Sequence, residues 1–198
     1  MKGSIMAKKP STKDKIITAA WQLFREKGYN ETTIEDIIEK SGTSKGTFYH
    51  YFVGKDALLS SLSTIFDSYY EEYYPTLDPE MNRVDMLITL CKNVHKMIGE
   101  DIQLNVLSHL YSSQVVTKGD KHLLDRNRYY YRMIQTIAEE GIRRGEIDAS
   151  LTVTDVTAIY TMCERAIIYD YCISDGSFDL GEYTCKMIPI LLAGIRTK

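Results

Sequence analysis

Apolar residues recur along this chain at the helical period almost throughout, and no stretch alternates as a strand would. The first periodic segment, Thr12 to Lys27, puts Ile17, Ala20, Trp21 and Phe24 on one face and meets Gly28 as its stop. In the second, Ile34, Ile37 and Ile38 fall at i, i+3 and i+4 before Gly42. In the third, Phe48 and Phe52 mark the inner side. Gly54 breaks the pattern, and KDALLSSLSTIFDSYYEEYY then predicts one long connecting helix from Lys55 to Pro75. Leu58, Leu62, Ile65, Phe66, Tyr69 and Tyr73 form its stripe. Val84, Leu87, Ile88, Cys91, Val94, His95 and Ile98 form another, ended by Gly99. Further helices are expected over 102–115, 120–144, from Thr152 or Thr154 to Gly176, and over 179–195, the last kinked by Pro189. The expectation is an all-α fold of about nine helices. It has a basic arm at 1–11, a three-helix domain at 12–53 and a helical domain at 54–198.

The second and third segments are short, so their ends matter more than their middles. Thr33 is a good N-cap, with Asp36 placed to complete a capping box near the positive end of the helix dipole. Gly42 supplies a left-handed stop, and Ser44 caps the following helix. Two short helices around a glycine turn make a helix-turn-helix, whose second helix enters the major groove of DNA. Lys45, Gly46, Thr47, Tyr49 and His50 are left at its start or on its outer side.

Charge sharpens this picture. The net charge is −3, yet residues 1–55 hold ten Lys/Arg against six Asp/Glu, leaving fourteen against twenty-one in the remainder. A basic end on an acidic body suits a protein that offers one end to phosphates. Lys2, Lys8 and Lys9 of the arm either add to it by touching the DNA backbone or minor groove or belong to a solvated tail. The N-terminus has no apolar core of a signal peptide, and no apolar run approaches the ~18–20 residues of a membrane helix. Four cysteines without CxxC spacing (Cys91, Cys163, Cys172 and Cys185) read as free thiols in a cytoplasmic protein.

The stretch TTIEDIIEKSGTSKGTFYHYFVGKDALL, with AAWQLFREKGYNETT before it, closely resembles the DNA-binding domain of TetR-type bacterial transcriptional regulators over residues 12–59. The resemblance implies a homodimeric regulator, most simply a repressor, that binds a pseudo-palindromic double-stranded DNA operator and is released by a small-molecule effector. It puts Thr43, Ser44, Lys45, Gly46, Thr47, Tyr49 and His50 toward DNA. Thr33 and Lys55 join them as phosphate contacts, Lys55 because a lysine at a helix N-terminus is disfavoured unless an anion lies opposite. Val53 departs from the family pattern, where proline or a polar residue is usual.

The remaining helices resemble the family only in layout. Phe66, Tyr69, Cys91, His95, Tyr111 and Tyr130 are the expected lining of an apolar or aromatic effector pocket. Tyr160, Cys163, Ile167, Met187 and Leu191, on the wide apolar faces of the last two helices, are the expected dimer interface. Cys91 and His95 at i, i+4 are also the spacing of two metal ligands; no third or fourth is written nearby, although His109 or His122 could approach in space, and pocket lining or a hydrogen-bonded core histidine accounts for the pair without a metal. No cofactor motif, nucleophile elbow, phosphate-cradling glycine loop or HExxH is present, so no catalysis is expected. The alternatives are a regulator answering a protein partner and a helical enzyme or carrier with a vestigial DNA-binding domain.

Overall fold

The computed structural model describes residues 11–116 and 121–197. The basic arm, except Ser11, and the expected start of a helix at Asp120 lie outside the described residues. The described residues are helical apart from turns and one isolated bridge between Ile147 and Arg196. The chain divides into two compact units at Ser61/Leu62, later than the Gly54 break suggests.

The first unit holds α1 (Thr12–Lys27), α2 (Ile34–Ser41), α3 (Lys45–Tyr51) and α4 (Asp56–Leu59). Ser11 and Asp14 close a capping box on α1. Ile16, Ala20, Phe24, Ile37 and Phe48 are fully buried and form the centre of this small core. Tyr29 adds its ring against Phe24 at 5.0 Å between centroids.

The connector expected as one helix is two, α4 and α5 (Ser61–Tyr73), which raises the described α-helices to ten. The break has a local chemical cause. The Ser60 hydroxyl donates to the Ala57 carbonyl at 2.6 Å and the Ser61 hydroxyl to the Leu58 carbonyl at 2.5 Å. Serines that bond back to their own backbone compete with the helical ladder and bend it. The Ser61 oxygen also accepts from the Trp21 indole at 2.8 Å.

The second unit continues through α5 into α6 (Arg83–Asp101), α7 (Leu104–Val116), α8 (Tyr129–Arg143), α9 (Val153–Ile173) and α10 (Leu180–Leu191). α6 is central, packing on α8, α9 and α10. α8 begins later than its apolar stripe suggests. The Asp125 side chain accepts from the Asn127 amide at 2.9 Å, a local turn that separates α8 from a 3-10 turn at His122–Leu124. α10 ends soon after Pro189, which has no amide hydrogen for the ladder, and a 3-10 turn at Ala193–Ile195 follows.

Arg83 is buried at the start of α6. Its guanidinium donates to Glu140 at 2.6 Å and to the carbonyls of Met81 and Pro79 at 2.7 and 2.9 Å. Beside it the chain turns tightly over α8. A Cβ on Gly141 would lie 2.5 Å from Ile147 Cδ1 and 3.1 Å from Arg83 Cβ. Gly141→Ala is therefore expected to overpack the junction and lower stability by about 1–3 kcal/mol. Urea unfolding checks this: the midpoint falls while the slope stays unchanged.

Candidate nucleic-acid interface and effector cavity

α2 and α3 are set by their caps. Thr33 accepts from the Asp36 amide at 3.1 Å and donates back to the Asp36 carboxylate at 2.5 Å. Gly42 takes the left-handed conformation, φ 65°, and Ser44 accepts from the Thr47 amide at 3.1 Å. Phe48 and Phe52 are buried, which fixes the rotation of α3. Ser44, Lys45, Gly46, Tyr49 and His50 are then exposed and Thr43 and Thr47 half-buried. Thr33 is exposed at the start of α2. Tyr49 is 47% exposed and Tyr51 40%. Val53, 92% exposed beside them, extends the outward apolar surface.

Gly46 has ordinary helical backbone, and a Cβ there would meet nothing nearer than Ser44 Oγ at 3.9 Å. The fold does not require a glycine at this position, and alanine would favour the helix by about 1 kcal/mol. Lys45 pairs with Glu35 at 3.1 Å, but both side chains are about two-thirds exposed, so the pair holds them weakly.

Lys55 is placed differently from the phosphate contact expected of it. Its ammonium donates to the carbonyls of Tyr29 at 2.7 Å and Thr32 at 2.9 Å, and reaches that of Asn30 at 3.4 Å. It also lies 4.3 Å over the Tyr29 ring. An ammonium has three hydrogens, and here all three face backbone oxygens of the α1–α2 turn. Burial lowers the Lys55 pKa from its ordinary value. The side chain is a strut for the turn that delivers α2. Lys55→Met should therefore lower the stability of the unit by about 1–3 kcal/mol and leave the salt dependence of DNA binding unchanged. Lys45→Met should leave the melting temperature unchanged and flatten the slope of log K against log salt by about one unit. Melting curves and salt-titrated operator binding of both variants separate the two roles.

The second unit holds a small, half-open cavity of about 50 Å³. Phe66 and Tyr70 of α5, with Val94, His95 and Ile98 of α6, form one side. Tyr111 of α7, Tyr130 of α8, and Glu164, Arg165 and Ile168 of α9 form much of the rest, with Leu123 and Arg128. Of the residues expected there, Phe66, His95, Tyr111 and Tyr130 line it. Tyr69 points elsewhere, stacked on Tyr73 at 5.8 Å with its hydroxyl 3.4 Å from the Asn93 carbonyl. Cys91 is fully buried and does not reach the cavity wall.

The polar end of the cavity centres on Glu164, which the sequence reading missed. Its carboxyl accepts from Tyr70 at 2.9 Å, from Tyr160 at 3.1 Å and from Tyr130 in a short hydrogen bond. Burial pushes its pKa up, and the three phenols partly offset this. A single glutamate inside the apolar run of α9, four residues after Tyr160, was the available signal. His95 is fully buried, and burial holds it neutral by pushing its pKa down to about 3. Thr184 donates to the Leu180 carbonyl at 2.7 Å, so its oxygen is an acceptor toward His95 Nδ1 at 2.8 Å. That places the imidazole proton on Nδ1 and leaves Nε2 a bare acceptor.

Two arginines differ in state. Arg128 is held by Asp67 at 2.8 Å and by the Ser63 carbonyl at 3.1 Å. Arg165 has no carboxylate partner among the described residues, and it stands where the cavity meets two adjoining hollows lined in part by Met162, Leu124 and Tyr169. Among the described residues lining those two hollows there is no Asp or Glu. An apolar body with an anionic end fits such a surface.

The dimer expectation needs correction for two residues. Tyr160 and Ile167 are 0% and 3% exposed and belong to the core of the second unit. Cys163 and Met187 are half-buried, and Leu191 is exposed. The outward apolar residues of the last two helices are Met162, Tyr169 and Ile173 on α9, with Ile190 and Leu191 on α10.

Residues 16–62 match the family model described as bacterial regulatory proteins, tetR family. That match shows a DNA-binding domain of the TetR type in the first part of the chain. This regulator is 22% identical over 184 residues to the fatty acid metabolism regulator protein of Bacillus subtilis, covering 92% of this chain and 95% of that protein. Its fold is similar to that of Thermus thermophilus FadR in complex with lauroyl-CoA, at a TM-score of 0.74 and 19% identity, covering 95% and 96% of the two chains. It is also similar to FadR from Bacillus subtilis in complex with stearoyl-CoA, at 0.66 and 21%, covering 92% and 98%. No helix among the described residues of the regulator is long and apolar enough to cross a membrane.

Proposed function

We propose that this regulator is a repressor whose effector is a long-chain acyl derivative with an anionic end, and that it holds a pseudo-palindromic operator as a cytoplasmic homodimer. The observation that carries the effector class is the pairing of an apolar cavity with the Arg165 guanidinium, which has no carboxylate partner among the described residues. The acyl-CoA complexes of similar folds support the same class. Thr43, Ser44, Lys45, Gly46, Thr47, Tyr49 and His50 face the operator, with Thr33 beside them. We assign the chain no reaction of its own.

Effector and operator are coupled by about 1–3 kcal/mol, so each weakens the other by the same factor. α5 is the natural carrier, since its first residue holds Trp21 and its second turn places Phe66 on the cavity wall. Lauroyl-CoA or stearoyl-CoA should raise the melting temperature and weaken operator binding by about 5–150-fold. Arg165→Glu should abolish both effects and keep operator affinity without ligand. An operator affinity and melting temperature indifferent to both acyl-CoAs overturns the effector class.

The homodimer is expected to form through the outward faces of α9 and α10. Ile173→Glu or Ile190→Glu, each at an exposed position, should yield folded monomers by sedimentation, with operator affinity greatly reduced. Ile167→Glu should instead unfold the second unit, because that residue is core.

A further inference from the structure

Three side chains of metal-ligating type converge at the inner end of the cavity. Cys91 Sγ, a His95 ring nitrogen and a Glu164 carboxylate oxygen all lie within 4.8 Å of one another, and all three residues are buried. We propose that they bind one divalent transition-metal ion of the zinc type.

The three ligand atoms lie close to the span of one ion, and side-chain rotation at Cys91 and Glu164 completes the coordination without moving the helices. Cys91 and His95 are one turn apart on α6, and Sγ lies 3.9 Å from the His95 ring nitrogens. An ion about 2.3 Å from sulfur and about 2.0 Å from nitrogen spans up to ~4.3 Å; since Sγ is equidistant from the two ring nitrogens, the thiol must turn toward Nε2 to share the ion. Glu164 supplies the oxygen from α9. The Thr184 contact fixes the His95 tautomer, with Nδ1 donating outward and Nε2 free to ligate, which is the usual support for a metal-bound imidazole. Three phenols hold the carboxyl of Glu164 in place in the same way. His95 and Glu164 border the cavity, which gives the ion an entry path and leaves a fourth position open to water or a ligand atom.

Charge also balances. Cys91 binds as the thiolate, its proton leaving to solvent, and Glu164 binds as the carboxylate. The thiolate and carboxylate then neutralise the divalent ion, so the interior gains no net charge. A sulfur, an imidazole and a single carboxylate together favour zinc or cobalt over magnesium or calcium, which take oxygen.

The test is a Co²⁺ titration of the reduced, chelator-treated full chain. One equivalent should produce a thiolate-to-cobalt absorption band in the near ultraviolet, and Zn²⁺ should displace it. A variant with Cys163, Cys172 and Cys185 all replaced by Ser should keep the band, because those half-buried or exposed thiols are not ligands. Cys91→Val should remove it, and Thr184→Val should weaken cobalt binding about 10–100-fold with every ligand still in place. No band in the wild type, or its loss in the triple-serine variant, overturns the proposal. That triple variant leaves the core intact, so the answer does not depend on Cys91→Val folding. The readout involves neither DNA nor acyl-CoA, and it stands or falls apart from the function proposed above.

Discussion

A carboxyl group in an apolar interior must find hydrogen-bond donors, and the packing of the second unit is arranged around that need. Glu164 draws one phenol from α5, one from α8 and one from its own helix, and Tyr160 also reaches the Leu87 carbonyl of α6 at 3.2 Å. Four helices are thereby tied at one point. Apolar contacts alone fix helices at a distance and a crossing angle with some latitude. Directed hydrogen bonds to a single carboxyl remove much of it. The same arrangement keeps one end of the cavity polar and well ordered while the walls of Phe66, Val94, Ile98 and Ile168 stay apolar.

The first unit solves a different problem. Helices of eight and seven residues do not hold themselves in water, so they depend on their ends and on a few buried rings. The capping box at Thr33, the left-handed Gly42 and the cap at Ser44 satisfy backbone groups that short helices leave over in high proportion. Lys55 completes this from the other side by collecting carbonyls of the turn before α2. With the interior of α3 fixed by Phe48 and Phe52, its outer residues need serve nothing inside the protein.

Features that depend on neighbours in sequence were legible. α1 spans the residues its apolar face and Gly28 define, and the caps of α2, α3 and α9 are those expected. Features that depend on distant partners were not. Lys55 reads as an orphan cation at a helix start, because the three carbonyls it faces lie more than twenty residues earlier. Tyr160 and Ile167 read as interface because an apolar face does not declare whether its own chain or another covers it. Ser60 and Ser61 look like ordinary polar positions in a helical stripe; only their back-bonding and the Trp21 indole make them a break. In the cavity, periodicity brought out the rings of α6, α7 and α8. Glu164 and Arg165 stood in the sequence as two of the four charges of α9, and their meaning came from what α5 and α8 place opposite.

The chain contains a single tryptophan, and its indole N–H is bonded to the Ser61 hydroxyl at the head of α5. Indole emission responds to hydrogen bonding and to the polarity around the ring. The protein therefore carries a native optical label at the residue where its two units divide, and any rearrangement that loosens the start of α5 registers in its fluorescence without an added dye.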